Sequence, residues 1–236
     1  MDRLDKIIAG HSAYSRREAG DLIRKGLVQV NHVVCRVPEA KYDPKTILLS
    51  VKGTEIPLQT ARCLMLHKPA GYVSATEDKQ EKTIVELIRP EDRYPALFPA
   101  GRLDKDTTGF LLLTRDGNLC HRIISPKNKI YKTYVVRVEG LLTTADIEIV
   151  EKGILLSSGE SFLPGIMQIL ESGEESVAVL KIREGQYHQV KRMMGYLGKR
   201  VLALKRIAIG GLDLDPNLKP GEYRFLEERE IEMIFQ

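Results

Sequence analysis

One segment near the middle of the chain joins a polar loop to a strongly apolar strand: Pro99-Ala-Gly-Arg-Leu-Asp-Lys-Asp-Thr-Thr-Gly-Phe-Leu-Leu-Leu-Thr114. The loop holds two acidic residues, Asp104 and Asp106, and the apolar run from Phe110 to Leu113 predicts a buried strand. Loops anchored to a rigid strand often carry active sites, which makes Asp104 a candidate for catalysis. Aspartates also close turns by bonding backbone amides. The segment alone is compatible with both roles.

A second polar segment, residues 184–194, begins with a glycine turn and continues as a predicted helix. The first turns of this helix present His188, Lys191 and Arg192, whose side chains suit an anion or a carboxylate. The alternative is an ordinary solvated helix face, with the apolar residues of the segment packed inward at helical spacing. The residues of this segment leave both interpretations open.

The remaining pattern mixes helices and strands without a regular alternation. Helices are predicted over residues 4–8, with Gly10 as the stop, and over 15–25, 83–89, 117–124, 145–152, 187–197 and 227–234. Strands are predicted over residues 27–34, with a tight turn at Asn31-His32, and over 47–51, 62–66, 110–114, 131–138, 176–182 and 201–209. This order favours an α+β fold with a mainly antiparallel sheet over a doubly wound parallel sheet.

Much of the net charge of +4 lies at the N-terminus, where residues 1–60 hold 10 Lys and Arg against 7 Asp and Glu. The second predicted helix begins with a capping box, Ser15 with Glu18. The polar side of that helix carries the basic residues Arg16, Arg17, Arg24 and Lys25. Two short helices with a basic face, followed by a small sheet, could bind RNA phosphates. A solvated charged helix face is the alternative.

Composition and motifs exclude several classes of protein. Apolar residues make up 43% and charged residues 29% of the 236 residues, which is ordinary for a globular protein. The apolar runs are too short to span a membrane, and the start of the sequence lacks the apolar core of a signal peptide, so we expect a cytoplasmic protein. Cys35, Cys63 and Cys120 show no metal-binding or disulfide spacing. Because phosphate-binding, dinucleotide and zinc motifs are also absent, we expect a reaction that needs neither cofactor nor metal.

Together these segments resemble the pseudouridine synthases of the ribosomal small-subunit pseudouridine synthase A type, nearly end to end. The resemblance rests on Arg3-Leu-Asp-Lys6 with Ser15-Arg-Arg-Glu-Ala19 and Val28-Gln-Val-Asn31, on His67-Lys-Pro-Ala-Gly71, on Gly101-Arg-Leu-Asp-Lys-Asp-Thr-Thr-Gly109, and on Lys132-Thr-Tyr134 with Tyr187-His-Gln-Val-Lys-Arg-Met193. It implies a small N-terminal S4-like (α-L) RNA-binding domain over residues 1–59. It also implies a catalytic domain over residues 60–236, whose mainly antiparallel mixed sheet is flanked by helices. His32 departs from the glycine usual in S4 domains, and Phe110 replaces a usual leucine.

The resemblance also implies the reaction and its residues. A pseudouridine synthase isomerises a uridine in RNA, with Asp104 as the essential aspartate, Tyr134 as an active-site tyrosine and Lys191 as the basic partner of the aspartate. A cation at ion-pair distance is expected to favour the ionised form of Asp104. Arg102 is expected to fill the space left by the flipped uridine. The further residues expected to bind substrate or RNA are His188, Arg192, Ser15, Arg16, Arg17, Arg24 and Lys25.

The expected partner is ribosomal RNA or a partly assembled small ribosomal subunit, bound by a monomer. Two alternatives remain at this point. Related synthases with the same signature loop act on large-subunit RNA, although Asp106-Thr-Thr-Gly-Phe110 and Ser125-Pro126 look more like the small-subunit type. The other alternative is a non-catalytic RNA-binding assembly factor, against which the intact set of Asp104, Tyr134 and Lys191 argues.

Overall fold

The computed structural model describes residues 1–12, 14–44, 46–56, 58, 63–93 and 96–236, without the side chain of residue 91. The chain divides into two compact units, Met1–Arg62 with Arg93–Leu97 and Cys63–Asp92 with Phe98–Gln236. The boundary predicted between residues 59 and 60, most of the linker predicted at 58–61, and the strand start predicted at residue 62 lie outside the described residues. Within the described ranges, no helix is both long enough and apolar enough to cross a membrane.

The first unit packs two helices on a small antiparallel sheet. Its elements are β1 Asp2–Arg3, α1 Leu4–His11, α2 Arg16–Arg24, β2 Val28–Val30, β3 Val33–Val34, β4 Lys41–Tyr42, β5 Leu49–Val51 and β6 Thr54–Ile56. Four of the strands form a sheet of order β3-β2-β5-β6, and β1 pairs with β4. Apolar residues from both helices, among them Leu4, Ile8 and Ile23, pack with Val28 and Leu49 in a buried core. Because the unit is small, its core is small, and the burial of these apolar residues is its main source of stability.

The predicted ends of α2 are confirmed, whereas the predicted end of α1 is wrong. The Ser15 hydroxyl accepts the Glu18 N–H, and the Glu18 carboxylate accepts the Ser15 N–H, which completes the capping box. Helix α1 continues through Gly10 to His11. Its last carbonyl groups are bonded by side chains, since Ser12 Oγ donates to the Ile8 carbonyl at 2.7 Å. A glycine stop is therefore unnecessary there.

The hairpin between β2 and β3 forms without the usual glycine. Asn31 and His32 have φ values of 49° and 66°, the positive values that a tight two-residue turn of this kind requires at both positions. The Asn31 side chain accepts the Leu48 N–H at 2.8 Å and so connects the turn to the preceding segment of β5. The departure at His32 has therefore not changed the hairpin.

The second unit is a mixed sheet with helices. Its strands are β7 Leu64–Lys68, β8 Phe98–Pro99, β9 Thr108–Thr114, β10 Lys132–Glu139, β11 Ile154–Leu155, β12 Ser161–Phe162, β13 Ile166–Glu171, β14 Glu175–Ile182, β15 Val201–Ile209, β16 Leu212–Asp213 and β17 Tyr223–Phe225. Its helices are α3 Gly117–Ile124, α4 Thr144–Lys152, α5 Gln189–Tyr196 and α6 Glu228–Met233, with short 3-10 helices at Ile84–Leu87, Pro90–Asp92 and Pro126–Asn128. The short helix predicted over residues 83–89 is confirmed as a 3-10 helix, which starts after Thr83 and ends at Leu87, two residues earlier than predicted.

The sheet of the second unit has the order β13-β14-β10-β15-β9-β7-β17. Its neighbouring strands are antiparallel except for β9 and β15, which run parallel and pair Thr108 with Lys205 and Gly109 with Arg206. The α+β class with a mainly antiparallel mixed sheet is therefore confirmed. Phe110 and Leu112 of β9 pack with apolar residues of α3 in the core of this unit. The polar loop that precedes β9 is consequently attached to a buried strand of the sheet.

Candidate active site

A small, half-open pocket with a cavity volume of about 50 Å³ lies where the loop before β9 meets the start of α5. Its walls include Arg102, Asp104, Tyr134, Ile182, His188 and Leu204. Charged and polar side chains share this wall with apolar ones, and convergent polar groups of this kind fix the orientation of a bound ligand. The structure thus brings the two candidate segments of the sequence, around residues 104 and 188, to one place.

Asp104 lies next to two basic side chains of the second segment. One of its carboxylate oxygens is 3.3 Å from Lys191 Nζ, and the other is 3.6 Å from His188 Nε2. Lys191 Nζ is also 2.6 Å from the carboxylate of Asp106. The Asp104 side chain is about one-quarter exposed, at 26%, whereas Asp106 is 72% exposed. Lys191 therefore joins a pocket carboxylate to a surface carboxylate.

This arrangement changes the pKa values of two of its members. Burial by itself lowers the pKa of Lys191, but the hydrogen bond to Asp106 and the charge of Asp104 outweigh it and hold that pKa above the usual value. The hydrogen bond from Lys191 in turn lowers the pKa of Asp106. Lys191 accordingly stays a cation at neutral pH, fixed beside Asp104.

A buried lysine holds the backbone of the loop before β9 through hydrogen bonds. Lys68, at the end of β7, is fully buried. Its ammonium lies 3.0 Å from the Asp104 carbonyl oxygen, 3.2 Å from that of Lys105 and 2.9 Å from that of Thr107. Burial lowers the pKa of Lys68 to about 8, although the charges of Asp106 and Asp104 oppose this shift. One cation thus fixes three carbonyl groups around Asp104.

Two further contacts complete the fixation of the loop. The Ser74 hydroxyl donates to the Leu103 carbonyl at 2.8 Å and accepts the Leu103 N–H at 3.0 Å. Gly109 has a φ of +103°, and a Cβ atom at this position would lie 2.1 Å from the Arg206 carbonyl oxygen. Only glycine allows the loop to join β9 at such a close approach to β15. The position of Asp104 is therefore determined by the sheet.

A buried acid orders the start of α5, which carries His188 and Lys191. Glu184 is 7% exposed, and its carboxylate accepts the Leu163 N–H at 2.7 Å, the Gln189 amide at 2.8 Å and the Gln186 amide at 3.1 Å. His188 itself has a φ of 48° at the position before the helix. These bonds fix the turn that presents the basic residues to Asp104.

Tyr134 reaches the pocket from the centre of the sheet. It lies on β10 opposite Leu180 of β14 and Arg206 of β15, and its side chain is 7% exposed. At the pocket rim, the Tyr187 ring stacks on the His188 ring with 3.9 Å between centroids. The pocket therefore has aromatic groups in its wall and at its rim.

The other residues predicted to bind RNA lie at several places. Arg102 is exposed at the pocket, while Arg192 pairs with Glu160 and lies over the ring of Phe162. In the first unit Ser15 caps α2, Arg16 lies 3.5 Å from Asp5, Arg24 pairs with Asp21, and Arg17 and Lys25 are exposed. These positions leave the RNA-binding roles as predictions.

The sequence prediction of the site omitted Lys68, Ser74 and Glu184. Lysine and glutamate are mostly exposed residues, so their residue type alone did not mark them as buried. The available signal was that Lys68 ends an apolar strand and is followed directly by a proline. The three residues act on the backbone around the site.

Comparison with known families agrees with this architecture. Residues 62–196 match the model of the RNA pseudouridylate synthase family, and residues 2–48 match that of the S4 domain. Asp104 and all the residues that line the pocket except Leu204 lie within the first of these matches. The chain belongs to the RNA pseudouridylate synthase family and carries an N-terminal S4 domain.

Individual relatives match nearly the whole chain. It is 41% identical to an uncharacterized RNA pseudouridine synthase of Bacillus subtilis (strain 168), over 98% of each chain. It is 38% identical to the ribosomal small subunit pseudouridine synthase A of Escherichia coli (strain K12), over 97% of this chain and 98% of the relative. The chain is also similar to a crystal structure of a pseudouridylate synthase, with 36% identity and a TM-score of 0.68. The match covers 99% of this chain and 100% of the other.

Proposed function

We propose that this enzyme converts a uridine of small-subunit ribosomal RNA into pseudouridine and that Asp104 is its essential catalytic residue. The observation that carries the proposal is the position of the Asp104 carboxylate, between Lys191 and His188 in the wall of the pocket. The target is inferred from the relatives named ribosomal small subunit pseudouridine synthase A. RNA of this kind is a cytoplasmic substrate, and we expect a monomer to act on it.

The reaction breaks the bond between uracil N1 and ribose C1′ and forms a bond between C5 and C1′. C5 loses a proton and N1 gains one, so that the product is an isomer of the substrate. The Asp104 carboxylate starts this exchange, either by attacking C1′ or by removing a proton from the sugar. Lys191 keeps it oriented at 3.3 Å and balances its charge. Tyr134 offers a ring face to the uracil and a phenol near the proton that leaves C5.

A uridine inside a helix must turn out of the stack to reach the pocket, at a cost of a few kcal/mol. Arg102 is exposed at the pocket and is placed to fill the vacated space. The S4 domain adds phosphate contacts through Arg16, Arg17, Arg24 and Lys25, all exposed. We place the division between the two domains at residues 59–60.

The test compares the protein with its Asp104→Asn variant on a small-subunit ribosomal RNA transcript, with and without ribosomal proteins. Pseudouridine is mapped by primer-extension stops that depend on carbodiimide treatment. We expect one stop with the wild-type protein and none with the variant, whose unfolding temperature should match that of the wild type. A stop that persists with Asp104→Asn refutes the role of Asp104.

Two other outcomes identify the alternatives. A stop on large-subunit RNA alone transfers the proposal to that substrate. Tight binding to ribosomal RNA without a stop on either subunit's RNA favours a non-catalytic assembly factor. The presence of Asp104, Tyr134 and Lys191 together at one pocket argues against a non-catalytic assembly factor.

A further inference from the structure

A segment next to the pocket holds a local excess of positive charge. Residues 117–138 contain five Lys and Arg and no Asp or Glu, which leaves 31 basic and 32 acidic residues for the rest of the chain. The segment therefore carries a local excess of five positive charges, a second basic region besides residues 1–60. Such a local excess indicates an anionic partner more specifically than the total charge does.

The exposed turn that follows α3 carries two of these charges. Lys127 and Lys129 are both exposed, and within the described residues neither has an ion-pair partner. The turn is fixed by backbone bonds, from Asn128 N–H to the Ser125 carbonyl at 3.1 Å and from Lys129 N–H to the Pro126 carbonyl at 3.1 Å. The two ammonium groups thus extend from a defined backbone.

The usual structural role of such lysines is already filled by other side chains. Cations near the end of a helix often bond its last carbonyl groups. Here the Asn128 amide donates to the Arg122 carbonyl at 2.8 Å, and buried Lys132 donates to the Ile123 carbonyl at 2.8 Å. Lys127 and Lys129 are therefore not needed to cap α3.

The turn adjoins the pocket on the side of Arg102. A Cβ atom on Gly101, the residue before Arg102, would lie 3.5 Å from Ile124, the last residue of α3. The turn also leads directly into β10, which carries Tyr134. We infer that Lys127 and Lys129 form a docking site for the sugar-phosphate backbone of the RNA strand beside the target uridine. This inference deepens the proposed function and rests on it, because it assumes an RNA substrate.

The test measures how RNA affinity depends on salt, because each lost phosphate contact lowers the slope of log K against log salt by about 1. The probe is a fluorescein-labelled RNA hairpin with a uridine in its loop, bound to the full-length protein and followed by fluorescence anisotropy. We expect the double variant Lys127→Ala/Lys129→Ala to reduce the magnitude of this slope by about 2. Lys127→Arg/Lys129→Arg should keep it, because it retains both charges.

Lys152→Ala is the matched control, since Lys152 is exposed on α4 and lies 3.7 Å from Glu148. The inference is overturned if the folded double-alanine variant keeps the wild-type slope or if Lys152→Ala lowers it equally. Circular dichroism melts establish that the variants are folded. Because phosphate contacts are independent of sequence, the slope can be read even if the small-subunit target proves wrong.

A separate observation concerns the ring stack at the pocket rim. Tyr187 is 76% exposed, and one face of its ring is covered by His188, which lines the pocket. The Tyr187 carbonyl accepts a bond from Arg192 at 3.3 Å, which ties the residue to α5. An exposed, fixed aromatic face beside the pocket suits an unpaired base. The geometry points to Tyr187 as a stacking platform for the base next to the flipped uridine, which also assumes an RNA substrate.

The test uses RNA hairpins with one 2-aminopurine beside a loop uridine, because the fluorescence of this base is quenched on stacking. We expect quenching by the wild-type protein and by Tyr187→Phe, and its loss with Tyr187→Ala. Tyr196→Ala is the control, as Tyr196 lies at the other end of the helix that follows Tyr187 and is 52% exposed. Equal quenching by Tyr187→Ala and wild type, or none by the wild type with RNA bound, overturns the assignment.

Discussion

At the level of single residues, the site depends on one ammonium group held by two carboxylates of the same loop. Asp106 makes the shorter contact with Lys191, at 2.6 Å, and is mostly exposed, whereas Asp104 is 3.3 Å away at the pocket. The two acids therefore have different relations to Lys191. Asp106 anchors Lys191 at the surface. The Lys191 ammonium in turn lies beside the Asp104 carboxylate, where we expect the substrate to bind.

Two substitutions, one at Lys191 and one at Asp106, should separate the effect of the lysine on Asp104 from the anchoring of the lysine by Asp106. We expect Lys191→Met to abolish turnover while RNA affinity changes little, because it removes a charge at the reacting carboxylate but few phosphate contacts. Asp106→Asn should slow turnover by about tenfold or less, since Lys191 keeps its contact with Asp104. Rates of pseudouridine formation and anisotropy titrations measure both effects. Undiminished turnover by Lys191→Met would contradict the assignment of the lysine.

Tyr134 offers two contributions, a ring and a phenol, that a single substitution can separate. Tyr134→Phe keeps the ring in the wall of the pocket and removes the hydroxyl. If the phenol assists loss of the C5 proton, product forms at least about tenfold more slowly in this variant, as is typical for a lost acid-base group. Single-turnover release of tritium from uridine labelled at C5 measures this step. A wild-type rate would limit Tyr134 to stacking.

At the level of elements, the site exists where β9 and β15 approach in parallel. Gly109 allows this approach, because its backbone lies against Arg206 and its φ is +103°. Gly109→Ala adds both a strained backbone and a clash with a main-chain oxygen. We expect a loss of about 3 kcal/mol or more in the free energy of unfolding, measured by urea denaturation.

A second glycine distinguishes strain from clash. Gly159 has a similar φ of +87°, but nothing lies within 4 Å of a Cβ atom built there. Gly159→Ala should therefore cost only about 1 kcal/mol, the contribution of the strained backbone. Equal losses at positions 109 and 159 would show that the close approach of the strands has no energetic weight of its own.

The sequence predicts elements well where local signals at both ends agree. Helix α3 has its predicted bounds, because Asp116 bonds the first free amides and Ser125-Pro126 ends the helix. Strand β15 also has its predicted bounds. Two-residue strands such as β11 and β16 carry no such pattern, since their pairing partners are set by the sheet. Helix α1 passes its predicted stop because side-chain bonds to its end replace the glycine.

The residues of the candidate site also differ in whether local sequence signals could predict them. Most residues that line the pocket belong to the signature loop and to the segment around residue 188, both visible in the sequence. The residues that fix those segments do not. Lys68 becomes recognisable only when the carbonyl groups of three loop residues surround its ammonium. Contacts of this kind depend on tertiary structure, and the surrounding residue types do not encode them locally.

At the level of the whole molecule, the second unit buries two lysines without a carboxylate bonded to either among the described residues. Lys68 is 0% and Lys132 is 6% exposed, and their ammonium groups donate to backbone carbonyls. Burial lowers the pKa of each to about 8, with the charge of Arg206 adding to the effect at Lys132. A buried cation is costly, so the fixed loop and the capped end of α3 are obtained at the expense of stability.

This cost predicts how stability depends on pH. Below about pH 8 both lysines are charged in the folded and in the unfolded chain, and burying them destabilises the fold in full. From pH 8 to about 10.5 the folded lysines lose their protons while the unfolded ones keep them, so the penalty declines and their contribution to stability rises. Lys68→Met removes this ionisation, and its free energy of unfolding should rise less across that range than that of the wild type.

Lys68→Met also leaves loop carbonyls without a donor, a loss of about 1–3 kcal/mol that is the same at every pH, whereas the relief of the buried charge is largest below pH 8. Urea denaturation between pH 7 and 10.5 measures both effects, with Lys152→Met as the control because that side chain is 77% exposed. Groups that titrate elsewhere in the chain cancel when the variant is subtracted from the wild type. Parallel curves for Lys68→Met and wild type would mean that Lys68 keeps an ordinary proton affinity when buried. The loop carbonyls would then compensate fully for its lost hydration.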